Sequence, residues 1–161
     1  MNGVEGIEAD DVFLGLDIAS NTGWAVVWGD TYHTGEIKFD PPRKLSTFRD
    51  FLYSTIERWR PAVVFYEDGF LNLNPSTVSL LHMHGVFFEV MEDCTVPKIP
   101  VTNSQPKEAV AGNGKMSAKD KKAGAMIRAL SAWGYDVKGT DEADALAIVL
   151  TGGLLLLDEL F

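Results

Sequence analysis

The chain has a single cysteine, Cys94, in 161 residues. That excludes an internal disulfide framework and a zinc site built from thiolates, and it suits a reducing compartment. Long apolar runs are missing as well. The longest, residues 145–157, is too short to span a bilayer and is interrupted by Gly152-Gly153. Residues 1–11 hold four acids and no base, so they read as an acidic tail and not as a signal or transit peptide. There is no internal repeat, no low-complexity tract and no linker long enough to divide the chain. What is left is one domain, residues 12–161, with room for a real core and an expected cytoplasmic location.

Bases are also scarce: 14 Lys and Arg against 23 Asp and Glu give a net charge of −9. Taken whole, that argues against a nucleic-acid partner. The distribution argues otherwise, because residues 98–138 carry eight bases against three acids. Lys107, Lys115, Lys119, Lys121 and Lys122 fall in this segment. Such a stretch is a candidate face for a polyanion, and it is equally compatible with a solvated helix face.

The stretch around which the rest is organised runs from Phe13 to Val27. Residues 12–16 are apolar on both faces, as in a central covered strand, and Asp17 ends them. Ser20-Asn21-Thr22-Gly23 supplies turn chemistry, and residues 24–28 are β-rich again. A charge at the end of a covered strand is costly unless something pairs with it. Asp17 therefore either starts the turn by binding backbone amides or holds a metal ion or phosphate.

Downstream, Gly29-Asp30 signals a hairpin between two strands. Leu45, Phe48, Leu52, Ile56 and Trp59 recur at helical spacing until Pro61 closes the helix. Residues 62–66 form another short apolar strand ended by an acid, Glu67. Asn74 and Pro75 suit the start of a helix reaching about Glu92. It is apolar nearly all round, so one stripe can cover a sheet while the surplus calls for a second copy of the chain, a homodimer through helix 75–92. His82 and His84 point to different faces and read as structural.

Residues 96–101 make a fifth strand and 104–111 a short helix. Gly112-Asn113-Gly114-Lys115 fails the phosphate-loop pattern, since Met116 follows the Lys and Ala109 replaces the first Gly. Ser117 to Asp120 suit a capping box for a helix that includes Trp133 and ends at Gly134. Thr140 then caps a last helix over residues 141–150.

Asp141 and Asp144 are three apart, so both carboxylates share one helical face. The helix dipole accounts for Asp141 and Glu142. Asp144 opens a run of Ala, Leu, Ile and Val with no base to pair it, and a divalent cation would serve. A helix crossover makes the strands ending in Asp17 and Glu67 parallel, so their ends lie side by side. With Asp141 and Asp144 brought to that end, four carboxylates suit Mg²⁺ or Mn²⁺. Two such ions, roughly 4 Å apart, clamp the attacking and leaving oxygens of a phosphodiester.

These features together resemble the RuvC family of Holliday junction resolvases, within the RNase H-like nucleases. The carrying residues are Leu14-Gly15-Leu16-Asp17 with Thr22-Gly23-Trp24, the strand ending in Glu67, and Asp141-Glu142-Ala143-Asp144-Ala145-Leu146-Ala147-Ile148. Gly112-Asn113-Gly114 with Ser117-Ala118-Lys119 is similar to a loop and helix start that the family uses on DNA. The resemblance implies an α/β fold with a five-stranded mixed sheet flanked by helices, a homodimer, and Mg²⁺-dependent paired nicking of four-way DNA junctions. It implies Asp17, Glu67, Asp141 and Asp144 as metal ligands, with Lys107 and Lys119 contacting phosphates near the cut and one of them stabilising developing charge. Phe70 falls where relatives carry an aromatic that probes the junction centre; the residues alone equally allow it to pack as a lid on the core. The chain departs from the bacterial pattern in its acidity, in Ile18-Ala19 in place of Pro-Gly, and in a slightly longer segment after Gly114. Those departures bear on substrate stringency and suggest a phage or prophage member.

Rival functions are a flap- or fork-directed nuclease of the same fold and a non-catalytic junction-binding protein. An actin-like ATPase shares the Asp-then-turn opening but needs a second related subdomain, for which the chain is too short.

Overall fold

The computed structural model describes residues 6–8, 10–68, 75–112 and 119–160, with the backbone alone at 75–76, 119–123 and 157–160. Its strands are β1 (Phe13–Asp17), β2 (Asn21–Trp28), β3 (Thr31–Lys38), β4 (Val63–Asp68) and β5 (Lys98–Thr102). The helices are α1 (Lys44–Trp59), α2 (Pro75–Asp93), α3 (Ser104–Ala111), α4 (Lys119–Ala132) and α5 (Thr140–Leu160). The strands form one mixed sheet in the order β3-β2-β1-β4-β5. β1 lies in the middle, antiparallel to β2 and parallel to β4, as the helix crossover through α1 requires.

Alternation along the strands splits the core into two layers. Leu14, Leu16, Val64 and Tyr66 face a cluster closed by Phe48 and Leu52 of α1 and by Met83, Phe87 and Val90 of α2. Phe13, Val63 and Phe65 face the other cluster, closed by Met126 and Leu130 of α4 and by Leu146 and Val149 of α5. Full burial of one such side chain contributes about 1.5–3 kcal/mol, and Phe65→Ala would cost about 3–5 kcal/mol. Among the described residues no helix is long and apolar enough to cross a membrane.

Helix α5 is the centrepiece of the second layer, and close backbone approach explains how it sits there. A Cβ at Gly15 would meet the Ala145 carbonyl, and one at Gly23 would run into the Asp141 carbonyl. The helix also continues through Gly152-Gly153 to Leu160, ten residues past the expected end at 150. A glycine costs a helix about 1 kcal/mol relative to Ala. Here Gly152 lies against the Phe65 ring, where a Cβ would collide, so packing outweighs propensity.

Other expectations shift by smaller amounts. Asn21, Thr22 and Gly23 belong to β2 and not to the turn, because the buried Thr22 hydroxyl donates to the Ala19 carbonyl and closes the turn earlier. Strand β4 extends one residue beyond Glu67, with Asp68 opposite Thr102, and β5 covers 98–102 instead of 96–101. Trp133 lies past the end of α4 and is 47% exposed. Thr140 is the first residue of α5 and not its cap; that role falls to two carboxylates described below.

Candidate active site

The same alternation sets the acids. On β1, Phe13, Gly15 and Asp17 occupy the face that α5 covers; on β4, Val63, Phe65 and Glu67 do the same. The parallel register ends on Leu16 opposite Tyr66, and one further step along both strands sets Asp17 beside Glu67 at the backbone. Strand neighbours lie about 4.8 Å apart, so two carboxylates start from adjacent positions on one face. From α5, Asp144 joins Glu67, Lys107 and Asn103 in lining a narrow cleft. Asp141 starts from the backbone that abuts Gly23, and Gly23 is the cross-strand partner of Asp17. The four acids are thus drawn to one end of the sheet from β1, β4 and α5.

Asp141 is anchored by neighbours that the sequence does not advertise. Its carboxylate accepts a 2.5 Å hydrogen bond from the Asn21 side-chain amide. Its backbone N–H donates to Glu36 Oε1 at 3.0 Å, and the N–H of Glu142 donates to the same oxygen at 3.2 Å. Glu142 turns back on its own helix start, accepting from the N–H groups of Gly139 (2.8 Å) and Lys138 (3.1 Å). Its other oxygen accepts from the Thr34 hydroxyl at 2.9 Å. Two carboxylates therefore satisfy amides that a helix leaves without intrahelical partners, and their charge complements the positive end of the dipole. Asn21 and Glu36 fall on the α5 face by strand parity, opposite Lys38 and Gly23 respectively; parity is the one signal in the sequence that could have found them.

Among the described residues no three Asp, Glu, His or Cys side chains converge tightly enough to hold a metal ion as they stand. The donor set nonetheless fits a hard divalent cation: carboxylate oxygens from three elements, no thiolate, all at one sheet end. Of the basic candidates, Lys107 lies in the cleft with Glu67 and Asp144. Lys119, Lys121 and Lys122 lie in the first turn of α4, where the backbone alone is described, and Phe70 and Lys115 lie outside the described residues. His82 is exposed and His84 buried, in line with their pointing to different faces. Burial lowers the His84 imidazole to about 4, with the Asp68 charge opposing.

Comparison with known proteins follows the same lines. The model of the family described as crossover junction endodeoxyribonuclease RuvC matches residues 6–152. A crossover junction endodeoxyribonuclease RuvC from Paracidovorax citrulli is 32% identical over 151 residues, covering 86% of this chain and 81% of its own length. The RuvC of Prochlorococcus marinus strain AS9601 is 32% identical over 124 residues, 73% of each chain. In three dimensions the chain superposes on T. thermophilus RuvC, solved in complex with a Holliday junction substrate. That match has a TM-score of 0.74 at 22% identity and covers 92% of this chain and 96% of the other. At that identity the superposition speaks for the fold alone.

Proposed function

Because the chain belongs to the RuvC family of crossover junction endodeoxyribonucleases, we propose a mechanism in which its own residues resolve Holliday junctions by paired hydrolytic nicks. The enzyme is a nuclease acting on branched DNA, and the family depends on divalent metal. Our finer reading names the parts. Asp17, Glu67, Asp141 and Asp144 would hold two Mg²⁺ ions, with Mn²⁺ an acceptable substitute. When bound, such ions supply charge stabilisation to the phosphodiester being cut.

The protein's share is positioning. Asp17 and Glu67 approach from rigid strands, which fix a site better than loops do. Asp144 approaches from a buried helix, and Lys107 beside it offers an ammonium to a phosphate oxygen. Lys119, Lys115, Lys121 and Lys122 would add contacts to phosphates, and Phe70 would stack on a loosened base at the branch point. Residues 12–161 act in this reading as one nuclease domain. The observation that carries it is the narrow cleft shared by Glu67, Asp144 and Lys107: two acids and a base, from three elements, at one end of the sheet.

We also propose a homodimer through α2. Val78, Leu81 and Phe88 are exposed along one stripe with Gly85, which leaves open space where a side chain would be. An apolar stripe with a small residue at its middle permits close approach of a second copy, and two copies supply the two nicks of a symmetric resolution.

The test is to incubate the protein with Mg²⁺ and, in parallel, a four-way junction, a flap, a duplex and an RNA–DNA hybrid, and to map the nicks. Paired nicks confined to the junction are expected. Preferential cutting of the flap would make it a branched-DNA nuclease of another kind, and junction binding without nicks would make it a binding protein.

A further inference from the structure

A second cleft, of about 370 Å³, opens on the other side of the β1–β2 turn. It is lined by Ser20 and Asn21 of that turn and strand, Lys44 of α1, Ser79 and Met83 of α2, and Asp141 of α5. Lys44 is half-buried, and its ammonium donates to the Ser20 hydroxyl and, at 2.9 Å, to the Ser79 hydroxyl. The ion pairs among the described residues join Lys38 to Asp40 and Arg49 to Glu89, so none neutralises Lys44. The Asp141 carboxylate, which also lines the cleft, takes the Asn21 amide instead.

A partly desolvated ammonium that meets only hydroxyls keeps most of its charge to offer. The two serines accept from Lys44, which leaves their own O–H groups to donate outward. With the third ammonium hydrogen and the two hydroxyls, three hydrogen-bond donors are held together around Lys44 in the cleft, the chemistry that a cluster of phosphate oxygens takes. We propose that Lys44, Ser20 and Ser79 form a phosphate-binding site that grips the backbone of the bound DNA away from the bond being cut. The inference rests on the junction-cleaving reading above and extends it to a surface outside the basic segment 98–138.

Its position gives it a use. Lys107 belongs to the α3–α5 layer and Lys44 to the α1–α2 layer on the other face of the sheet, and the cleft of each takes in candidate acids, Glu67 and Asp144 beside Lys107 and Asp141 beside Lys44. A DNA strand lying over both clefts meets a cation in each. Phosphate contacts of this kind fix register and carry no base preference.

The test compares wild type, Lys44→Gln and Lys44→Arg for binding to a four-way junction without divalent metal, across 50–300 mM salt, with melting temperatures recorded for each. Lys44→Gln should bind about tenfold more weakly at the lowest salt and flatten the plot of log affinity against log salt by about one unit, while Lys44→Arg keeps the slope. An unchanged slope in a folded Lys44→Gln protein would overturn the site and reduce Lys44 to a strut between α1 and α2, leaving the junction reading intact. Wild type that does not bind the junction would overturn both. Should Lys44→Gln fail to fold, the double change Ser20→Ala with Ser79→Ala decides. It should weaken binding about threefold with the slope kept, and undiminished binding would sink the proposal.

Discussion

Glu36 closes the start of a helix 105 residues away: one of its oxygens accepts from the backbone N–H of Asp141 and of Glu142. An edge strand thereby holds the element that carries two of the four acids. Glu36→Ala should lower the melting temperature by about 2–4 °C, the effect of one lost helix cap. Cleavage should fall by tenfold or more, well beyond the loss of folded protein, because Asp141 moves with the helix start. Glu36→Gln, which keeps an acceptor oxygen, should recover most of both. Cleavage that merely tracks the melting temperature would make Glu36 a stabilising residue and nothing else.

The carboxylate set itself is tested by Asp17→Asn and Asp144→Asn. Each should reduce nicking by several orders of magnitude while junction binding stays intact or tightens, since negative charge beside DNA has gone. A gel-shift and a nicking assay on the same preparations separate the two effects. Near wild-type nicking by Asp144→Asn would return that residue to a helix-dipole role.

His84 gives a pH dependence whose sign follows from burial. Its folded value, about 4, lies below the ordinary 6.5, so between those values the unfolded chain binds the proton that the fold refuses. Stability contributed by the neutral ring is present above pH 6.5 and declines as pH falls toward 4. Urea unfolding at pH 7 and pH 5 should show this loss, and His84→Phe should shrink it. Equal pH slopes in the two proteins would count against it.

Leu81→Glu or Phe88→Glu should convert the proposed homodimer to monomers, read by light scattering at fixed concentration. On junctions the paired nicks should become single, uncoordinated ones. A wild-type protein that is already monomeric at micromolar concentration would dismiss the dimer.

Much of the fold was legible because the sheet writes itself in the sequence. Apolar runs at 12–16 and 62–66 gave β1 and β4, the crossover gave their parallel sense, and helical spacing in α1 and α2 held to within a residue or two. The placement of Asp17 and Glu67 at one end of neighbouring parallel strands was legible for the same reason, since each follows an apolar run. What escaped depends on contacts distant in the chain. Glu36 and Asn21 have no local mark, since an acid on an edge strand and an amide after a serine read as solvent and turn. Thr22 and Gly23 looked like turn residues, yet one is buried and the other has a helix against it. Gly152 looked like a helix end because propensity was visible and the Phe65 ring above it was not.

The bond from Asn21 to Asp141 bridges 120 positions of sequence. Synthesis proceeds from one end, so Asp17, Asn21 and Glu36 leave the ribosome long before the residues of α5 do. Until that helix emerges, the glycine-lined face of β1 and β2 has nothing to lie against it, and two of the four acids do not yet exist. On the proposed assignment of the four acids, a partial chain is therefore unarmed: it cannot bring them together, however well its earlier strands have paired. A cutting centre shared between β1 and α5 is complete only once the first strand and the last helix have met.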